Sequence, residues 1–285
     1  LLYDNYSLQR LRLMEQVHKR PFFLNLCYYT VHTPIQGKPE HVAHFQRRLR
    51  PELHHRNAGY AAMVTSLDEN VGRLLATIED LGIGEDTIVV FFSDNGGYIG
   101  RYGGEVVTDN FPLRSGKGAL YEGGIREPLI VHWPGVTHPG SVCSTPVMST
   151  DFFKTLLEMT GHGEDPRFPA GVDGLSLVPL LRDADAVLER DALFWHYPHY
   201  YETTTPVSAI RQGEWKLLEY LEDGRLELYR LDQDPSESCN LAGDEPQRAR
   251  ALASRLAVWR TEVSAQMPTR PSGSSTSCET SVSRP

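Results

Sequence analysis

Between Tyr60 and Leu81 the apolar residues recur at three- and four-residue spacing. Tyr60, Met63, Val64, Leu67, Val71, Leu74, Leu75 and Ile78 share one face, which predicts a long amphipathic helix. Gly82 and Gly84 end it. The pattern then changes from periodic to continuous. "TIVVFF" (87–92), "PFFLNLCYY" (21–29) and "PLIVHWPG" (128–135) are unbroken apolar runs of strand length. Leu8–Lys19 reads as a further helix. "STDFFKTLLEMTG" reads as another, with Ser149 or Thr150 as its cap and Gly161 as its stop. Strands that alternate with helices predict an α/β core with a largely parallel sheet.

After about Asp191 the rhythm shortens. "ALFWHYPHY", "VSAIRQG", "EWKLLEYLE" and "GRLELYRLD" are short strands parted by turn residues, which predicts an antiparallel meander. A helix over Pro246–Ala265 closes it. The expected organisation is therefore an α/β unit over 1–190, a small antiparallel unit over 191–267 and a disordered Ser/Thr/Pro-rich tail over 268–285. Two long connections interrupt the first unit, Gly37–Asn57 and Asp94–Glu127. Loops of that length are commonly functional or mobile.

Composition narrows the function. The chain of 285 residues carries Lys+Arg 28 against Asp+Glu 37, a net charge of −9. That excludes a general nucleic-acid binder, although a local cation cluster can still hold an anion. Cys27, Cys143, Cys239 and Cys278 lie too far apart for metal-ligand or redox spacing. Cys27, in an apolar run, is expected to be a buried small residue. No stretch approaches the ~20 apolar residues of a membrane span. No signal peptide is visible, and the chain opens on Leu1 rather than Met, as a fragment or a processed product would.

The run "TIVVFF" stops at Ser93-Asp94-Asn95-Gly96-Gly97. In α/β sheets ligands gather where strands end. A carboxylate beside a carboxamide offers oxygen donors to a hard divalent cation, Ca²⁺ or Mg²⁺. The same letters also make an ordinary Asx turn. Thr108-Asp109-Asn110 repeats them without a preceding strand and reads as plain loop. Lys117, in "LRSGKGALYEGGIREP", sits between glycines, where an ammonium can meet an oxyanion. It equally suits a solvated surface lysine. His32, in "VHTP", follows a strand and can donate a proton, or be one more loop histidine. His41, His44, His54 and His55 lie in polar sequence and read as solvated. "FWHYPHYYE" offers His196 and His199 among aromatic residues suited to a sugar ring, or else a core strand with an aromatic edge.

In order, "PFFLNLCYYTVHTP", "YAAMVTSLDENVGRLLATIEDLG", "TIVVFFSDNGG", "LRSGKGALYEGGIREPLIVHWPG", "STPVMSTDFFKTLLEMTG" and the run from "LFWHYPHY" to "SCNLA" resemble the sulfatase family of the alkaline-phosphatase superfamily. The similarity covers most of Leu1 to about Pro268. It implies an alkaline-phosphatase-like α/β core and a small C-terminal antiparallel subdomain. It also implies a sulfuric ester hydrolase acting on a sugar or aryl sulfate. By match, Asp94 and Asn95 hold Ca²⁺, Lys117 contacts the sulfate and His32 lies near the sulfate and the leaving oxygen. His196 and His199 would bind substrate. The family is exported, which implies a periplasmic or secreted protein.

The family nucleophile is a formylglycine made from Cys or Ser in a C/S-x-P-x-R motif, and no such motif occurs in the chain. Cys143, in "CSTPVM", has no following Arg. The family's early pair of aspartates is missing as well. The expectation is a C-terminal portion of a sulfatase without its first ~100–200 residues, a domain-sized length, and inactive alone. Rival readings are a phosphodiesterase, phosphonate hydrolase or phosphoglycerol transferase of the same superfamily, and a non-catalytic remnant that binds sulfated glycan. An α/β-hydrolase is disfavoured, because no G-x-S-x-G elbow occurs.

Overall fold

The computed structural model describes residues 21–163, 165–168 and 171–269. The helix expected over Leu8–Lys19, and the tail from residue 270 onward, lie outside them.

The long amphipathic helix forms as its spacing requires. It is α2, Ala58–Asp80, and it buries Ala58, Ala62, Met63, Thr77 and Ile78. Asn57 caps it, its side-chain oxygen accepting from the Tyr60 N–H at 2.9 Å. The Gly37–Asn57 connection is not all loop, because α1 (Pro39–Gln46) packs on α2. Pro39 at its first turn favours the start, but α1 buries no residue completely, so periodicity left no trace of it.

The strands β1 (Val89–Phe92) and β4 (Leu129–His132) pair antiparallel, with Val89 opposite His132 and Phe92 opposite Leu129. This corrects the expectation of a largely parallel sheet, which is absent among the described residues. A parallel pair needs a long crossover, usually helical. The segment between these strands instead holds only a two-residue hairpin, β2 (Arg101–Tyr102) with β3 (Glu105–Val106), and one turn of helix, α3 (Glu122–Ile125). It returns to the end it left. The continuous apolar runs promised cover on both faces, yet Val90, Phe92 and Ile130 are exposed. "PFFLNLCYY" joins no ladder, and its residues alternate between half-buried and exposed. Cys27 is therefore exposed, not buried.

Helix α4 (Asp151–Met159) ends before Gly161 at φ 76°, as expected. Its cap differs. Thr150 is already helical (φ −64°, ψ −19°) and makes no capping bond. Asp151, the first helical residue, ties the helix start to its surroundings instead, accepting from the Met148 N–H at 2.8 Å and the Leu175 N–H at 2.9 Å and pairing with Arg190. The short α5 (Val178–Arg182) follows.

The C-terminal meander forms as predicted. Strands β5 (Leu193–Tyr197), β6 (Val207–Gln212), β7 (Trp215–Tyr220) and β8 (Leu226–Arg230) run antiparallel in sequence order. Helix α6 (Pro246–Glu262) covers one face, its Ala249, Leu252 and Leu256 packing on Ile210, Leu217 and Leu228. On the other face Val207, Ala209, Leu218 and Tyr220 pack on Ala119, Leu120 and Tyr121. Phe194 stacks on Trp259 with ring centroids 4.9 Å apart. The sheet's second cover is thus a piece of the Asp94–Glu127 connection, which carries Lys117.

Candidate active site

Two glycine-rich turns meet beside the end of β1. The ladder persists past Phe92, since the Ser93 N–H reaches Pro128 O at 3.3 Å and the Gly96 N–H reaches Gly124 O at 3.1 Å. The contact is so close that only glycine fits. A Cβ on Gly96 would stand 1.8 Å from Gly123 O, and one on Gly116 would stand 2.3 Å from Gly97 O. The Lys117 N–H donates to Gly97 O at 3.2 Å, joining the two turns directly.

Asn110 fastens the seam. Its Oδ1 accepts from the Gly97 N–H at 3.1 Å, while Nδ2 donates to Gly97 O at 3.0 Å and Ser115 O at 2.9 Å. The expectation for Asp109–Asn110 is plain loop. It is loop, but Asn110 supplies three hydrogen bonds that no local pattern announces. The histidines of the long connection are not simply solvated either. His54 stacks on Phe111 with centroids 4.0 Å apart, and His55 Nδ1 lies 3.3 Å from Thr108 Oγ1. Together they dock residues 54–57 beside the strip that leads to Asn110.

The charges at the seam are unspent. Asp94 is exposed. Asn95 uses Nδ2 on Gly96 O at 3.0 Å, which turns its carbonyl oxygen free for a ligand. Continuing the β1–β4 register past Phe92 sets Asp94 opposite Glu127. Burial, reinforced by the Asp94 carboxylate, pushes the Glu127 carboxyl up to about 7. Its Oε1 is buried without a hydrogen-bond partner. Facing carboxylates destabilise a ladder, and a cation between them would relieve this one. Asp94, Asn95 and Glu127 fit calcium in donor chemistry, being hard oxygens. They fall short in number, for Ca²⁺ takes about six to eight oxygens. Among the described residues no three His, Cys, Asp or Glu side chains converge on a metal position. Lys117 is half-buried, and its ammonium has no hydrogen-bond or ion-pair partner among the described residues.

No contact among the described residues ties the expected histidines to this seam. His32 is exposed, its Nδ1 2.9 Å from Thr33 O and its ring 5.3 Å from Tyr29. No contact among the described residues joins it to Asp94 or Lys117. His196 spends both ring nitrogens on the protein, 2.8 Å from Ser208 Oγ and 2.8 Å from Gln266 O. His199 is exposed and packs edge-on to Tyr197. The loop between β5 and β6 reaches the Lys117 turn through Tyr201, which lies against Gly118, and Thr203. Thr203 Oγ1 donates to Lys117 O at 2.8 Å.

The family model for sulfatases matches residues 2–162, more than half of the chain. The chain belongs to the sulfatase family. A second model, for the C-terminal region of N-sulphoglucosamine sulphohydrolase, matches residues 115–262. It begins at the Lys117 turn and ends with α6, so it takes in the four-stranded sheet and both of its covers. A sulfatase of Formosa agariphila is 36% identical over 260 residues, covering 84% of this chain and 46% of that protein. Among solved structures, Ps i-CgsB in complex with k-i-k-neocarrahexaose superposes with a TM-score of 0.77 at 26% identity, over 90% of this chain and 54% of that one. Another, solved with its substrate D-glucosamine-2-N,6-O-disulfate, superposes with a TM-score of 0.59 at 29% identity, over 73% of this chain and 40% of that one. The fold is therefore that of the alkaline-phosphatase-like sulfatases, mixed helix and sheet with a C-terminal four-stranded antiparallel sheet. The chain spans about half the length of these relatives. No helix among the described residues is long and apolar enough to cross a membrane.

Proposed function

We propose that this sulfatase chain serves the hydrolysis of a sulfate ester on a sugar. The observation that carries the reading is the seam. A half-buried lysine whose ammonium has no partner among the described residues is tied by its own backbone to the turn that follows an acid–amide pair. Lys117 binds a sulfate oxygen, and Asp94 and Asn95 supply part of a calcium shell, with Glu127 facing Asp94. Bound calcium would neutralise charge on the sulfate and steady the attacking group. The residues of this chain bind and orient the anion as charge builds on the leaving oxygen. His32 is assigned to that oxygen by family match. His196 is ill placed to bind substrate because both its nitrogens are used, whereas His199 remains open for it. The sugar class is favoured over aryl sulfates by the two relatives solved with saccharides. The division at about residue 190, and export to the periplasm or outside, belong to the same reading.

The chain contains no C/S-x-P-x-R sequence, so alone it binds but does not turn over. Calcium titration by terbium luminescence, followed by calorimetry with glucosamine 6-sulfate, tests this. We expect calcium-dependent binding that Lys117→Ala weakens by about tenfold, as for loss of one charge-assisted contact. Binding unaffected by Lys117→Ala removes the seam as the anion site. Rapid turnover of an aryl sulfate by the chain overturns the missing nucleophile. Preference for a phosphonate ester over the sulfate would favour the phosphonate hydrolase reading.

A further inference from the structure

Lys117 lies on a segment whose anchors are on the C-terminal sheet, not on β1. Residues 119–121 are part of the core of that sheet. One residue further, Glu122 is buried and reaches Lys216, whose Nζ is 2.9 Å from Glu122 Oε1 and 2.9 Å from Glu237 Oε1. The directed hydrogen bond goes to Glu122. Lys216, the second residue of β7, is 0% exposed. Glu237 Oε2 in turn accepts from the Glu122 N–H at 2.6 Å. Arg211 adds a second cation 3.8 Å from Glu122 Oε2. On the other flank of Lys117, Arg114 donates to Tyr229 OH at 2.9 Å and Glu237 O at 2.8 Å.

The turn itself is gripped too. Thr203 holds the Lys117 carbonyl. The Tyr201 ring lies against Gly118, where a Cβ would come within 2.2 Å of it. A buried ion trio is a poor source of stability, because desolvation offsets most of its attraction. It does impose one geometry, since any displacement of Glu122 leaves buried charge unpaired. The polar contacts described for this trio lie on the strip carrying Lys117, on β6 and β7 and on the turn after β8.

We propose that Lys216 and Thr203 are positioning residues for Lys117, so that the C-terminal sheet sets where the sulfate-binding ammonium stands. The inference rests on Lys117 being the anion-binding lysine, and its test separates the two ideas. The chain has five lysines, Lys19, Lys38, Lys117, Lys154 and Lys216, so acylation of each can be followed by mass spectrometry. Lys38 and Lys154 are the internal reference. In Thr203→Val, which removes one hydroxyl from a half-buried turn, the acylation rate of Lys117 relative to them should change by about threefold or more. That is the low end of coupling through packed polar networks. Lys216→Met should change it further. If that variant does not fold, Thr203→Val decides.

Leu252→Ala, behind the opposite face of the sheet, is the control for general loosening. It should lower the melting temperature while leaving the Lys117 ratio within about twofold, as expected for a site with no shared partners. Inorganic sulfate should protect Lys117 in the wild type and protect it less in Thr203→Val. An unchanged Lys117 ratio in Thr203→Val, or an equal change in Leu252→Ala, overturns the positioning role. Absence of sulfate protection in the wild type sinks the anion-binding reading alone, because the unliganded ratios still decide the positioning.

Discussion

The two strand systems of this chain are made of similar letters and end up in opposite states. In the four-stranded sheet Ile210, Leu217, Leu218 and Leu228 are wholly buried, because α6 covers one face and residues 119–121 the other. In the β1–β4 pair Val90, Phe92 and Ile130 remain exposed, as do Phe23 and Tyr29 of the apolar run 21–29. Apolar content alone does not say how many faces of a strand are covered. Covers do, and among the described residues only the C-terminal sheet has both. The candidate site straddles this divide. Asp94 and Asn95 extend from the open pair, whereas Lys117 is rooted in the closed body.

That contrast can be broken most forcefully at the ion trio. Lys216→Met leaves Glu122 and Glu237 buried without their cation, and should cost about 3–5 kcal/mol in urea unfolding. Replacing all three by neutral residues, Lys216→Met with Glu122→Gln and Glu237→Gln, should recover much of that loss, since uncharged groups carry no such desolvation penalty. If the single variant is as stable as the wild type, the trio is not closed to water and the two bodies differ less than their burial implies.

Next in size is the apolar core of the closed sheet. Ile210→Thr keeps the β-branch and hence the strand preference, while burying a hydroxyl in place of a carbon. A loss of about 2–4 kcal/mol is expected from the lost apolar burial and the polar group together. A loss near zero would mean that α6 does not stay docked on β6.

The seam between the bodies comes third. Gly96→Ala pushes a methyl into Gly123 O. The backbone on both sides must shift, at a cost of about 1–3 kcal/mol by the usual scale of overpacking. Calcium-dependent sulfate binding should fall with it. Gly72→Ala is the counterpart, since nothing lies within 4 Å of the added methyl in the middle of α2. It should raise stability by about 0.5–1 kcal/mol, the ordinary helix preference of alanine over glycine.

These cases also show what the order of letters could and could not reveal. The helix α2, the antiparallel meander and the closing helix were legible from their spacing, although of the face expected for α2 only Met63 and Ile78 are buried and Val64 and Leu75 are exposed. The Asp94–Asn95 pair and Lys117 were legible as chemistry in glycine-rich turns, with family resemblance supplying their roles. The fastening of those turns was not legible. Asn110 works through Gly97 and Ser115, and Lys216 through Glu122, which lies 94 positions away in sequence. A lysine inside "EWKLLEY" also reads as the exposed member of an alternating strand, yet both faces of that strand are covered. The largely parallel sheet followed from strands alternating with helices, yet the segment between β1 and β4 holds no crossover helix, and the two strands pair antiparallel.

The smallest expected effect is the sharpest test of the comparison. Ile130 is 64% exposed, against 0% for Ile210, and both lie inside strands paired antiparallel. Ile130→Thr should therefore change stability by less than about 0.5 kcal/mol, the usual range for a surface site. Strand preference is held constant by the β-branch, so the two isoleucines differ only in what covers them. The measurement is urea unfolding of both variants across a hundredfold range of protein concentration. Should Ile130→Thr cost more than about 1 kcal/mol, and should that cost grow with concentration, the open face is covered by another chain in solution through mass action. A cost that is large but independent of concentration would place the cover within the same chain. Either result would close the β1–β4 pair and remove the distinction between the two bodies.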